Sequence, residues 1–220
     1  MDFNGGHMAE NFGNMVQIAV LCGCTFFSLF RMVGSEHKEW TKLFYFFGSF
    51  LMGDVYWQVC ILFEKESSPI SYVANLCWYT SFTMLLLVEM MIIRSARNEE
   101  AVLSPAARFV PVIGPVFTVG MAVFYMQLGD YVNNVIYAVL MGALLFVAIR
   151  SFFLELDGNK KNSIRLFCGM VILYVLFEYG AWTASCFYES ELMDKVYVAF
   201  DYLMTFSFPV FIPLTSKVLK

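Results

Sequence analysis

Seven apolar stretches, each about twenty residues long and separated by short polar turns, run through this chain of 220 residues and leave little freedom in its fold. A hydrocarbon layer about 30 Å thick is crossed by a helix of about 20 apolar residues. Backbone N–H and C=O groups find no water there, so only helices and closed barrels can span it. The runs are too long and too uniformly apolar for the alternating, roughly ten-residue segments of a barrel. The spacing predicts an all-α, multi-pass membrane protein, a single membrane domain over 1–220, with spans at 12–33, 41–63, 69–94, 108–127, 131–153, 163–186 and 194–215. Composition agrees: 15% of the residues are charged, against about 25% in soluble domains.

The loops carry the orientation. Twelve of the fourteen Lys and Arg residues fall on one side of the predicted spans: Arg31, Lys38, Lys42, Arg94, Arg97, Arg108, Arg150, Lys160, Lys161, Arg165, Lys217 and Lys220. Only Lys65 and Lys195 fall on the other, with Asp2, Glu10, Glu64, Glu66, Asp130, Glu189, Glu191 and Asp194. Basic residues collect in cytoplasmic loops, so the N-terminus is expected outside and the C-terminus in the cytoplasm, in a cell membrane. The formal charge of −4 then divides into an acidic outer face and a basic inner one. The basic face is suited to anionic lipid heads rather than to nucleic acid. Met1–Asn14 has no basic n-region or small-residue cleavage pattern, so the first span is expected to remain. All six cysteines fall inside predicted spans, where no disulfide-stapled outer domain is implied. The mid-helix Cys22 and Cys24 point to different faces.

The chain echoes itself. Tyr72-Val73-Ala74 aligns with Tyr197-Val198-Ala199, and the same register sets Thr80 on Thr205. Trp57 and Cys60 face Trp182 and Cys186, and both hairpins run on into acidic turns, Glu64-Lys65-Glu66 and Glu189-Ser190-Glu191. This suggests two parallel three-helix units, 12–94 and 131–215, joined by a linker helix at 108–127. In that arrangement the chain resembles the seven-helix 3+1+3 membrane proteins, the SWEET and PQ-loop transporters and, more distantly, the opsins. The resemblance implies a solute site between the two halves. It rests on topology and repeat: no Pro-Gln dipeptide occurs, so no family residue is carried over.

Ionisable groups inside a bilayer are costly and tend to face the bundle interior, where they mark function. Four are expected here, Asp54, Glu89, Glu178 and Asp201, with no Lys or Arg at their depth. Asp54, Glu178 and Asp201 lie seven to nine residues from the outer ends of their spans, roughly 10–14 Å at 1.5 Å per residue. Residues three or four apart share a helix face. That rule sets Trp57 and Gln58 with Asp54, Tyr174 and Trp182 with Glu178, and Tyr197 and Thr205 with Asp201, while Asn75, Trp78 and Tyr79 group on the third span. Together these residues predict an outward-opening cavity with aromatic walls and a negative floor. Aromatic faces and carboxylates favour cations, and burial of several acids together can couple the site to protons. A plainer account has each acid protonated and bonded to a Tyr, a Thr or a backbone carbonyl, serving helix packing alone. Tyr131 and Tyr188 fit an interfacial aromatic belt. Glu89, near the inner end of its span, is expected to pair with an inner Arg or to act as a gate. Pro209 and Pro213 in the last span suggest a hinge, and Pro111 and Pro115 punctuate the fourth. Gly48, Gly53, Gly169 and Gly180 are read as close-packing positions.

Some chemistry falls away. A retinal Schiff base needs a lysine in the middle of the last helix, and only Lys195 and Lys217, at its two ends, are present. Zinc hydrolysis needs a histidine set, and the chain has only His7 and His37. No phosphate-binding loop or nucleophile triad appears, so neither a metal nor a cofactor is expected, and an enzyme would have to act through the carboxylates alone. Two readings follow: a transporter of a small cationic or proton-coupled solute, or a ligand sensor that works with a signalling partner or forms the membrane half of a longer protein. A homo-oligomer is compatible with either.

Overall fold

The computed structural model describes residues 4–63, 71–96, 104–156, 158–187 and 190–219. The acidic turns at Glu64-Lys65-Glu66 and Tyr188-Glu189 lie outside them, as do Asp2, Arg97 and Lys220 and the side chains of His7 and Glu10. Among the described residues the chain is helical: α1 (Asn4–Val33), α2 (Lys38–Phe63), α3 (Ser71–Ala96), α4 (Pro105–Phe109), a 3-10 turn (Val110–Val112), α5 (Ile113–Met126), α6 (Tyr131–Ser151), α7 (Gly158–Ser185) and α8 (Glu191–Val218).

Six segments are long and apolar enough to cross a membrane: Phe12–Val33, Tyr72–Ala96, Pro105–Met126, Tyr131–Ser151, Lys160–Ser185 and Glu191–Val218. The remaining long helix, α2, has 26 residues and a length of about 39 Å. Its apolar average is diluted by Asp54, Gln58, Tyr56, Trp57 and two glycines. Those residues are affordable because α2 lies between α1 and α3.

The elements begin and end for local reasons. Ser104 caps α4 by accepting a hydrogen bond from the Ala107 N–H at 3.2 Å, and Pro105 occupies the first turn, where a missing N–H costs nothing. Pro111 lies in the 3-10 turn that carries the chain from α4 into α5. The α5–α6 turn uses Gly129 and Asp130 at positive φ (106° and 50°). The Asn134 side-chain amide ties down that turn by donating to the Gly129 carbonyl at 2.8 Å.

Helices α1, α2, α3, α6, α7 and α8 form a ring, each packed on the next, with α8 returning to α1. Helix α5 sits outside the ring against α6. Small residues set that contact: a Cβ on Gly114 would meet the Leu145 Cβ at 2.7 Å, and one on Gly142 would meet Thr118 Oγ at 2.7 Å. Thr118 also donates across the seam to the Ala138 carbonyl at 3.0 Å. Of the glycines read as packing positions, Gly180 lies under the Phe200 ring and Gly53 under Trp78. Gly48 makes only an ordinary contact with Thr25, and Gly169 has no neighbour within 4 Å. Helix α8 runs uninterrupted through Pro209 and Pro213.

The centre of the ring is filled by aromatic rings. Phe46, Phe47 and Phe50 from α2, Phe82 from α3, Phe167 and Tyr174 from α7, and Phe208 and Phe211 from α8 are all buried. They meet edge-on or tilted, as aromatic quadrupoles prefer. Phe50 and Phe208 have centroids 4.9 Å apart, Phe46 and Phe211 5.7 Å, and Phe167 and Phe211 5.5 Å. Ser81 donates to the Phe46 carbonyl at 2.9 Å, a hydrogen bond between α3 and α2 inside this apolar block.

A carboxylate-lined cavity as the candidate functional site

A cavity of about 210 Å³ lies between the aromatic block and the end of the bundle where α2 and α7 finish and α8 begins. Four helices deliver its walls by helical spacing alone. Helix α2 supplies Phe50, Asp54 and Trp57; α7 supplies Glu178, Ala181, Trp182 and Ser185; α8 supplies Tyr197, Asp201 and Met204; α1 supplies Asn14 and Gln17. Counted from the first residue of each set, every position is three, four or seven residues on, so each set forms one stripe down its helix. Trp78 of α3 and Tyr137 of α6 complete the lining.

Asp54 and Asp201 are buried, and Glu178 is half-buried. The three carboxyls lie near enough to influence one another electrostatically. One oxygen of Asp54 accepts a hydrogen bond from the Trp78 indole N–H at 3.0 Å. Gly53 makes that approach available: a Cβ there would meet Trp78 Nε1 at 2.7 Å. The second Asp54 oxygen is buried with no hydrogen-bond partner in the protein, and so are the amide nitrogens of Asn14 and Gln17. A buried polar atom left unbonded costs about 1–3 kcal/mol, which a polar occupant of the cavity would offset.

The aromatic walls are held from behind. Trp182 meets Tyr137 edge-on at 4.4 Å and stacks on Tyr125 at 5.2 Å, 13° from parallel. The Tyr125 hydroxyl is hydrogen-bonded to Thr183 Oγ at 2.7 Å. At the same end of the bundle, Tyr79 donates to the Asn133 side-chain oxygen, and the Asn133 amide donates to Asp130.

Of the residues expected to bind ligand, Asp54, Trp57, Trp78, Glu178, Trp182, Tyr197 and Asp201 line the cavity. Gln58, Asn75, Tyr79, Tyr174 and Thr205 do not. Tyr174 and Thr205 are fully buried, Tyr174 among Phe46, Phe82, Phe208 and Phe211. Both follow the i, i+4 rule, but each lies one turn deeper than its acid, below the cavity floor. Tyr79 is turned toward Asn133 and Tyr137. Glu89 is fully buried beside Cys168, away from the cavity. No arginine pairs with it among the described residues. Asn14, Gln17, Phe50, Tyr137, Ala181, Ser185 and Met204 enter the lining without having been singled out. A search for a polar i, i+3 pair near the start of the first apolar run would have found Asn14 and Gln17.

Of the echoed residues, Trp57 and Trp182 both face the cavity. Tyr72 is 63% exposed while Tyr197 lines the cavity. Thr80 is exposed and bonds the Leu76 carbonyl of its own helix, while Thr205 is buried.

Among the described residues the acids do not converge as a metal-binding cluster. They ring a space whose other surfaces are mostly aromatic and amide, with Ala181, Ser185 and Met204 between. No known protein family, curated protein or solved structure matches this chain.

Proposed function

We propose that this chain crosses a cell membrane seven times, with α2 and the α4–α5 unit among the spans, its N-terminus outside and its C-terminus in the cytoplasm. In this reading α1–α3 and α6–α8 are the parallel units of a 3+1+3 architecture. Both units place their middle helix between the other two, which supports it. The cavity then opens to the outside and takes a small cation or a proton-coupled solute. One observation carries the proposal: three carboxyls from three helices border one cavity with tryptophan and tyrosine walls and no Lys or Arg among its described lining residues. Carboxylates and aromatic faces both attract cations. The volume of about 210 Å³ is below the roughly 300–1,000 Å³ of drug-sized ligand sites, so the occupant is compact, such as a small amine.

Transport is the primary reading, with the two units moving about the site. The aromatic block beneath the cavity must then open as the inner gate. The same block favours a second reading, a sensor whose occupied cavity shifts the bundle between two states and is read by a partner. Rings from both units interlock in it, so the cavity is a closed-ended site in this state.

The test is ligand-dependent thermal stabilisation of the purified chain against amines, amino acids, sugars and vitamins at mildly acidic and neutral pH. An amine is expected to raise the unfolding temperature, and Asp54→Asn or Asp201→Asn to abolish the shift. Liposome uptake of that amine then separates the readings: accumulation supports transport, and binding without uptake supports sensing. If the Asn variants bind every ligand as the parent does, the cavity is not the site.

A further inference from the structure

A second opening lies on the outer surface of the bundle, remote from the cavity and toward the opposite ends of the helices. A groove of about 670 Å³ runs between α3 and α6. Its walls include Leu87 and Met90 of α3 and Val147 of α6, and Arg94 and Arg150 stand over it. Arg94 belongs to the last turn of α3 and Arg150 to the last turn of α6, so the two guanidinium groups mark one end of an otherwise apolar trough.

Neither arginine has a carboxylate partner among the described residues, where Glu191–Lys195 is the one ion pair. The Arg150 Nε is buried without a hydrogen-bond acceptor, and its guanidinium carbon lies 6.0 Å from the Phe146 ring centroid. Two cations over one groove repel each other, and an anion bridging them relieves both the repulsion and the unmet donor. The groove below them selects further. A free anion gains nothing from Leu87, Met90 and Val147, and a neutral lipid gains little from two arginines. An amphiphile with one anionic head and an apolar tail uses both, and flexible methionines such as Met90 adapt well to an acyl chain.

We propose that this groove is a binding site for an anionic phospholipid, its phosphate held by Arg94 and Arg150 and one acyl chain lying along Leu87, Met90 and Val147. The inference rests on the membrane-embedded reading and is independent of what the carboxylate cavity binds.

The test is native mass spectrometry of the full chain released from detergent after addition of phosphatidylglycerol or phosphatidylcholine of matched chain length. Phosphatidylglycerol is expected to be retained over phosphatidylcholine. Arg94→Gln and Arg150→Gln are each expected to lower that retention about fivefold, as for one basic side chain at a membrane surface. Met90→Trp, at an exposed position, is expected to block the trough and lower retention while leaving both charges in place. Lys38→Gln with Lys42→Gln, elsewhere on the basic face, is expected to change nothing. Equal retention of the two lipids overturns the site, and so does an equal loss in the lysine control. Displacement of the lipid by inorganic phosphate, with Met90→Trp still binding, overturns the acyl-chain half of the proposal. Should Arg150→Gln fail to fold, Arg94→Gln and Met90→Trp decide the matter. Amine stabilisation through the cavity is expected to be unchanged in these variants, so failure of either proposal is distinguishable from failure of the other.

Discussion

The two halves of the bundle interior are built from the same kinds of ring on the same helices, yet one is solid and the other hollow. In the solid half, Phe46, Phe82, Phe208, Phe211 and Tyr174 interlock and are fully buried. Asp54, Glu178 and Asp201 lie one to two turns away on α2, α7 and α8, and there the rings stand back around a cavity. Phenyl rings fill space without needing a hydrogen bond, so they collapse onto each other to native packing density. Carboxyls cannot do so cheaply, because each needs a partner and they repel one another. The indoles and phenols nearby turn their polar edges to hydrogen-bonding groups instead, as Trp78 does to Asp54. Close packing is thus concentrated in the phenylalanine block, and the buried polar groups in the layer next to it.

The sharpest way to break this comparison is to exchange the roles of the two layers. Phe208→Ala in the block is expected to cost about 3–5 kcal/mol through the lost burial and the residual cavity, read as a large fall in unfolding temperature. Asp54→Asn is expected to leave stability equal or higher while removing ligand-induced stabilisation. A stability loss in Asp54→Asn as large as in Phe208→Ala would assign the acid to packing. Gly53→Val comes next. Its Cβ would fall 2.7 Å from Trp78 Nε1, so about 1–3 kcal/mol of overpacking is expected, together with loss of the Trp78–Asp54 hydrogen bond and of ligand binding. Trp78→Phe removes the donor and part of the ring. It leaves Asp54 with one fewer bond and is expected to cost about 1–3 kcal/mol, with tryptophan fluorescence reporting the change. The smallest effect belongs at the rim. Lys195→Ala breaks the pair with Glu191, whose side chains are 69% and 85% exposed, and no measurable change in unfolding temperature is expected.

The same comparison explains how far the cavity could be read from the residues. Asp54, Glu178 and Asp201 were legible because each is an ionisable residue inside an apolar run, at a depth that counting from the span end supplies. Trp57, Trp182 and Tyr197 followed from helical spacing on the side of each acid away from the phenylalanine block. Tyr174 and Thr205 share the same faces but lie on the side of the block, and spacing cannot say where along a face the packing closes. Asn14 and Gln17 escaped because a neutral amide near the start of a span carries no strong signal. Tyr137 escaped because nothing local distinguishes a wall tyrosine from any other on α6.

The sequence by itself determined that the chain is helical and where most of the long helices lie, because a long apolar run has one way to satisfy its backbone away from water. It missed that α1 begins at Asn4 rather than at 12, and that the run expected as one helix at 108–127 is broken by the 3-10 turn Val110–Val112. The three acids it singled out, Asp54, Glu178 and Asp201, line one cavity. Only the tertiary structure decided that α5 stands outside the ring, that Trp78 rather than Asn75 meets Asp54, and that Glu89 sits apart beside Cys168. Those outcomes depend on the rotation of each helix about its axis and on which small residues let two helices approach. Rotation is set by packing among all the neighbours at once, which no single stretch of sequence encodes.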